Sequence, residues 1–496
     1  MAETEDIILR QQRDLLKRLI WLRNQVECEG AIRFKKWESW IYREEFIESG
    51  KNLANYLALR KHDLRVLQRE LSPLGLSSLG RLESKVLPSL DAVIASLARI
   101  SQSPKSEKYP HPAKENIQLG KKLLKKRSTE IFGKSSSQTR IMVTLSGETA
   151  DQPKFIENLV ARGMNVARIN CAHDDRETWK SMIHYVREAS ANTGSSCRIM
   201  MDLAGPKARI TGVVFPQNQK RVFRGNMIRL SDNPGAGNES QISITVSIPQ
   251  IFSKLVEGQE VWIDDGKIGA QVEELADGSC TLKVFHASPK GTKLSDSKGI
   301  NFPGIDVGSA LSDADLANIH FVAENADMIG YSFIQKAADL DMLEAELSNV
   351  AIDTSLLPIV AKIETELAVQ NLPEIIVRAA GRRPLAIMIA RGDLAVEIGY
   401  ERLAEIQEEI MWLAEAAHIP VIWATQVLER LVKKGIRSRA EITDAAMSVR
   451  AECVMLNKGA YVLDAIEILR DLYKRMHQHQ EKKSPQLRAL RSWTTE

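Results

Sequence analysis

The chain has 496 residues, 44% hydrophobic and 26% charged, a balance ordinary for a globular protein with enough chain for several domains. A formal net charge of +3 gives no reason to invoke nucleic acid or an anionic membrane as partner. Five cysteines, Cys28, Cys171, Cys197, Cys280 and Cys453, are scattered without CxxC spacing, which excludes a disulfide framework and fits a reducing compartment. The opening MAETEDIILRQQRD lacks the basic and apolar regions of a secretory leader, and no apolar run is long enough to span a bilayer. A soluble cytoplasmic protein is therefore expected.

Residues 1–100 read as a helical domain. Ile7, Ile8, Leu15, Leu16, Leu19, Ile20 and Leu22 recur at helical spacing, followed by Phe34, Trp37, Trp40, Ile41 and Phe46 and then Val86, Leu87, Leu90, Val93, Ile94 and Leu97. Such stripes predict core packing ahead of a binding groove, and no catalytic constellation stands among them. Docking, oligomerisation or regulation is the role this segment suggests. Residues 101–138 read as a linker with a helical stretch: Ser101–Lys114 is rich in Pro, Ser and Lys, and KKLLKKR (Lys121–Arg127) predicts a solvated helix face.

From Thr139 the period changes. RIMVTL, MNVARIN, CRIMMDL, DMIGYSF, LPIVAKIE, LAIMIARGD, PVIWATQ and ECVMLN are short apolar runs, each followed by an amphipathic helix. Eight strand–helix units predict an α/β fold, a closed (β/α)8 TIM barrel over 139–209 and 298–478. The third unit is interrupted over 210–297 by alternating segments such as VWIDD and KIGAQVEEL, with hairpin turns at Asp265-Gly266 and Asp277-Gly278. That insertion predicts a small antiparallel β-barrel lid over the barrel mouth. Residues 479–496 form a tail.

Charged groups concentrate at the C-terminal ends of the predicted strands, where barrel enzymes keep their chemistry. Strand two ends in Arg168 and Asn170, and strand three in Asp202, then Lys207 and Arg209. Strand five ends in Lys362 and Glu364, strand six in Arg391, Gly392 and Asp393, and strand seven in Thr425 and Gln426. Glu364 and Asp393 on adjacent strands suit one hard divalent cation, and the surrounding Lys and Arg suit a small polyanion. The pattern points to transfer of a phosphoryl group. ARGDL predicts a short helix whose free N–H groups take a carboxylate.

The motifs NVARINCAH, MDLAGPKAR, VWIDDGKI, KGINFPG, YSFI, VAKIE, MIARGDLAVE, PVIWATQVLE and SRAEITDAA occur in the order found in pyruvate kinase, and the chain resembles that family from Thr139 to about Leu456. The resemblance implies transfer of the phosphoryl group of phosphoenolpyruvate to ADP, giving pyruvate and ATP, in a homo-oligomer. It implies that Glu364 and Asp393 ligate Mg²⁺ or Mn²⁺, and that Lys362 stabilises the transferring phosphoryl group and the enolate. By the same resemblance Thr425 would lie by the face where the enolate is protonated, and Arg168 would contact the phosphoryl group. Asn170, Arg209 and Lys298 would stand on the nucleotide side with Arg168. Gly392, with Asp393, would belong to the substrate-binding set.

Departures from the family pattern are informative. Of the residues that bind a monovalent cation in many members, Asn170 and Asp202 match, but Ala172 and Leu203 replace a Ser and a Thr. The residue after the GP pair, Glu in potassium-requiring members, is Lys207, whose ammonium supplies a positive charge. Catalysis independent of K⁺ is expected. The loop after strand eight reads NKGAY (Asn457–Tyr461) in place of SGETA, the first strand is followed by LSGETA (Leu145–Ala150), and regulation through the family's C-terminal α/β effector domain is not expected. Two other readings remain open. One is another metal-dependent phosphoenolpyruvate or pyruvate enzyme on a related barrel, against which the β lid, Arg168 and Lys298 argue. The other is a catalytically weak metabolite-sensing scaffold, against which the intact set Lys362, Glu364, Asp393 and Thr425 argues.

Overall fold

A computed structural model describes residues 2–216, 219–233, 241–308, 310–482 and 484–485. The tail expected over 479–496 lies, from 486 on, outside the described residues. Five helices precede the first strand: α1 (Ala2–Trp37), α2 (Glu44–Leu59), α3 (Arg65–Leu71), α4 (Val86–Ile100) and α5 (Lys114–Phe132). α1 packs on α2 and α4. Leu15, Leu16, Leu19, Leu22, Trp37 and Phe46 are buried there as the spacing predicted, whereas Ile7 and Ile8 are exposed.

The barrel opens with β1 (Arg140–Thr144), α6 (Pro153–Ala161), β2 (Val166–Asn170), α7 (Arg176–Thr193) and β3 (Arg198–Asp202). Seven strands follow outside it: β4 (Ile210–Val214), β5 (Met227–Ser231), β6 (Ile242–Val246), β7 (Glu260–Ile263), β8 (Ile268–Ala276), β9 (Ser279–His286) and β10 (Ile300–Asn301). The alternation then resumes with α8 (Asp313–Asn325), β11 (Met328–Tyr331), α9 (Asp339–Ser348), β12 (Ile359–Ile363), α10 (Glu366–Gln370), α11 (Leu372–Ala380), β13 (Leu385–Ala390) and α12 (Arg391–Ile398). It ends with α13 (Tyr400–Ala416), β14 (Val421–Ala424), α14 (Glu429–Lys434), α15 (Arg439–Met447), β15 (Cys453–Leu456) and α16 (Val462–Met476). Strands β1, β2, β3, β11, β12, β13, β14 and β15 close a parallel barrel in that order. The single helix expected after the fifth barrel strand is two, α10 and α11, broken at Asn371 before Pro373, where proline suits a new first turn.

The second sheet runs β10-β7-β8-β9-β5-β6-β4 and has its own apolar core. All its pairs are antiparallel except β5–β6. Its edge strands meet at the hinge, where Arg209 bridges Gly299.

Successive residues of a parallel strand face opposite sides, and the burial clusters follow that alternation. Val166, Met200, Val360 and Ile422 pack with others inside the barrel, while Ala167, Met201, Ala361 and Trp423 face the helices. Ile131 and Phe132, at the end of α5, join the interior cluster. The segment expected to be a linker thus carries core residues. Within KKLLKKR, Leu124 is buried and Arg127 donates to the carbonyls of Ala417, His418 and Glu45. No described helix is long and apolar enough to cross a membrane.

Candidate active site

The inward parity that fills the lower barrel with Val166, Met200 and Val360 brings Arg168, Asp202 and Lys362 inward at the C-terminal ends of the same strands. These three side chains form one buried network. Arg168 donates through Nε to Asp202 Oδ2 at 2.9 Å and through a second nitrogen to the same oxygen, with its remaining arm on Thr144 Oγ1 at 3.2 Å. The Lys362 ammonium lies 3.2 Å from Asp202 Oδ2 and 3.1 Å from Glu364 Oε1, and donates to Ser332 Oγ at 2.7 Å. Burial would raise the Asp202 carboxyl, but Lys362 and Arg168 hold it below the usual carboxylate range. Burial would likewise strip the proton from Lys362, and Asp202 and Glu364 reverse that, so the ammonium is firmly charged.

Glu364 follows β12 and accepts the backbone N–H of Phe333 at 2.7 Å through Oε2. Burial pushes its carboxyl up; Lys362 opposes the shift and Asp393 adds to it. A carboxyl displaced upward by burial and by a second carboxylate marks a place short of positive charge. Asp393, in the first turn of α12, supplies that second carboxylate and keeps its side chain 22% exposed. Among the described residues no three His, Cys, Asp or Glu side chains gather into a protein-only metal cage. Two oxygen-donor carboxylates at an open mouth fit Mg²⁺ or Mn²⁺, ions that complete their shell with water and substrate oxygens. The residues present therefore fit the implied metal.

Lys207 is where the structure departs from expectation. Its ammonium does not join Asn170 and Asp202; it lies 2.5 Å from Asp393 Oδ1 and 3.8 Å from Asp265 on the β7–β8 loop. The Gly205-Pro206 turn aims it there. Gly205 has φ +70°, and a Cβ on it would come within 2.9 Å of the Ser332 and Phe333 side chains, so only glycine lets the turn press on the end of β11. Asn170 is spent locally, its Oδ1 accepting the N–H of Ala172 at 3.2 Å. On the lid side, Arg209 donates to the Ser297 carbonyl at 3.0 Å and Lys298 pairs with Asp264 at 3.0 Å. Neither points a free charge into the Arg168–Asp202 network.

Thr425 follows β14 with φ +65°, and Gln426 and Leu428 are also left-handed. That conformation is costly for a β-branched residue and persists only where surroundings enforce it. Arg391 does so: it donates to the carbonyls of Ala424 and Thr425 at 2.9 and 2.6 Å, pairs with Asp444 at 2.5 Å, and stacks 4.6 Å over the Trp423 ring. Thr425 Oγ1 is buried without a partner. A Cβ on Gly392 would stand 3.7 Å from the Thr425 side chain, so the open first turn of α12 and the orphan hydroxyl share one corner.

Residues 136–466 match the family described as "Pyruvate kinase, barrel domain". The chain belongs to the pyruvate kinase family. It is 30% identical over 338 residues to a pyruvate kinase of Mycobacterium tuberculosis, covering 66% of this chain and 68% of that protein. It is 31% identical over 344 residues to that of Encephalitozoon cuniculi, covering 67% and 74%. A crystal structure of a pyruvate kinase from Cryptosporidium parvum superposes with a TM-score of 0.62 and 28% identity, covering 71% of this chain and 70% of that one. The protein is thus a phosphotransferase of the pyruvate kinase family on a TIM barrel, with a second sheet and an N-terminal helical region. The family uses phosphoenolpyruvate and ADP as substrates and a divalent metal.

Several side chains that shape this site carried no role in the sequence reading. Ser332 joins Lys362 to the Leu203 carbonyl, donating to the latter at 2.6 Å. Asp444 fixes Arg391, and Glu397 links α12 to Asn301 at the base of the lid at 3.1 Å. Ser332 and Asp444 lie in the YSFI and SRAEITDAA motifs, so the signal was present without an assignment. Glu397, whose carboxyl burial pushes up to about 7, sits one helical turn past Asp393 and closes the MIARGDLAVE motif, so it too carried a signal without an assignment.

Proposed function

We propose that the protein is a pyruvate kinase in activity as well as in family, transferring the phosphoryl group of phosphoenolpyruvate to ADP with Mg²⁺ or Mn²⁺ and without a K⁺ requirement. The observation that carries the reading is the buried, charged Lys362 held among Asp202, Glu364 and Ser332 at the end of β12, with Asp393 acting on Glu364 and the orphan Thr425 hydroxyl beside Gly392. A divalent ion held by Glu364 and Asp393 would neutralise charge on the phosphoryl and carboxylate oxygens.

The remaining steps belong to the chain's own groups. Lys362 Nζ faces the charge that moves onto the enolate oxygen as its bond to phosphorus breaks, and Arg168 stabilises the phosphoryl oxygens. The free N–H groups at the start of α12, Gly392 included, take the substrate carboxylate. Thr425 stands on the opposite side and passes a proton, directly or through one water, to the enolate carbon, forming pyruvate. The lid strands exclude water from the transfer, with Arg209 and Lys298 on the nucleotide side. Ala172 and Leu203 at the two monovalent-cation positions, and the ammonium of Lys207 in the same mouth, support the K⁺-independent reading.

The test is a lactate-dehydrogenase-coupled assay with phosphoenolpyruvate, ADP and Mg²⁺, run in K⁺ and in Na⁺ salts beside Lys362→Met. Turnover in both salts, lost in the variant, is expected. Activity in K⁺ alone would remove the claim about Lys207 and leave the kinase. No turnover in either, with phosphoenolpyruvate still bound, would remove the kinase.

A further inference from the structure

Lys207 enters the mouth from the lid hinge, two residues before Arg209 bridges Gly299. Its stem passes so close to that bridge that a Cβ on Gly299 would lie 2.8 Å from Lys207 Cε. Its head stands 6.0 Å over the centre of the Phe333 ring, whose own backbone N–H is held by Glu364. On the remaining sides are Asp393 at 2.5 Å and Asp265 of the lid at 3.8 Å. The Lys207 side chain is 18% exposed, so this is a half-buried cation on the one carboxylate of the metal pair that faces solvent.

We propose that Lys207 is the resident counter-cation of the divalent-metal site: an incoming Mg²⁺ or Mn²⁺ must displace its ammonium from Asp393, and that displacement releases the lid loop that carries Asp265. The inference rests on the reading of Glu364 and Asp393 as metal ligands. The physical ground is charge exclusion. Mg²⁺ binds a carboxylate oxygen at about 2.0–2.1 Å, and an ammonium already on that carboxylate would stand within a few ångströms of two further positive charges at a half-buried site. Because one side chain ties the barrel's Asp393 to the lid's Asp265, metal binding and loosening of the lid tip become a single linked event. Lysine here therefore lowers metal affinity in the free protein, and the ion binds most favourably when an anionic substrate arrives to take the freed ammonium.

The full chain, without substrates, is titrated with Mn²⁺ while free Mn²⁺ is followed by electron paramagnetic resonance. Lys207→Met is expected to bind Mn²⁺ about tenfold more tightly or better than the parent, with Glu364→Gln in the same background losing the gain. In the unaltered protein, saturating Mn²⁺ should speed hydrogen exchange at Asp264–Lys267, a readout that needs no variant. Equal Mn²⁺ affinity with and without Lys207, or no change in exchange at the lid loop, overturns the inference and leaves the metal site standing. Absence of Mn²⁺ binding in both proteins overturns the metal assignment itself.

Discussion

At the scale of single residues the site is a balance of buried charges, so removing one group changes both rate and stability. Lys362 holds two carboxylates that are nearly inaccessible to water. Lys362→Met should lower kcat by about 10²–10³ and, by leaving Glu364 without its counter-charge, destabilise the fold by about 3–5 kcal/mol. The coupled assay and the urea midpoint report the two losses separately. Thr425 behaves in the opposite sense. Its φ of +65° and its unpartnered buried hydroxyl both work against the folded state. Thr425→Gly should raise stability by about 1 kcal/mol while pyruvate formation falls; a variant with a lower melting temperature would show that Thr425 is not strained.

At the scale of elements, α2 and the turn before α4 are fastened to the barrel by a polar joint. His418, buried between α13 and β14, shares hydrogen bonds with Ser49 Oγ at 2.9 Å and the Ser84 carbonyl at 3.0 Å. Burial, aided by Arg127, lowers its pKa from 6.5 to about 4. The sign follows from proton counting. Between pH 6.5 and 4 the unfolded chain takes up a proton that the folded chain refuses, so stability present above pH 6.5 is lost as the pH falls through that window, by at most about 3 kcal/mol. Unfolding free energies at pH 7.5 and 4.5 should differ more in the parent than in His418→Gln. Gly120 lets α5 pass this joint, since a Cβ there would stand 2.2 Å from the Ser84 carbonyl oxygen and 2.5 Å from His418 Nε2. Gly120→Ala trades helix propensity for that clash and should destabilise by about 1–3 kcal/mol, measured by thermal unfolding. The sequence made the eight strands, the interrupting sheet and the charged strand ends legible, because period and strand-end chemistry are local properties. It did not reveal that Ile131 and Phe132 enter the barrel or that Lys207 lies on Asp393, because both depend on where distant segments meet. KKLLKKR illustrates the limit: its charge predicts solvent, yet Arg127 is consumed by three carbonyls from two other parts of the chain.

At the scale of the whole molecule, the apolar clusters divide the chain differently from its charge and linker composition. Residues from Leu15 to Tyr473, drawn from the N-terminal helices and from the barrel, form one contiguous core, while the β4–β10 sheet encloses a separate one. Backbone bonds reinforce the first union: Tyr42 and Arg43 both donate to the Gly381 carbonyl, at 2.8 and 2.9 Å. A shared core couples the unfolding of its parts, whereas a sheet joined to the barrel through a hinge opens on its own. Native-state hydrogen exchange in rising denaturant should therefore show α1, α2 and α4 losing protection together with β12 and β13, and the β4–β10 strands exchanging at a lower opening free energy. If the N-terminal helices exchanged well before the barrel, they would be an appended module. Joint exchange would instead make them a structural part of the catalytic body, so that a ligand bound to these helices could reach α13 and, through it, the helix that carries Asp393.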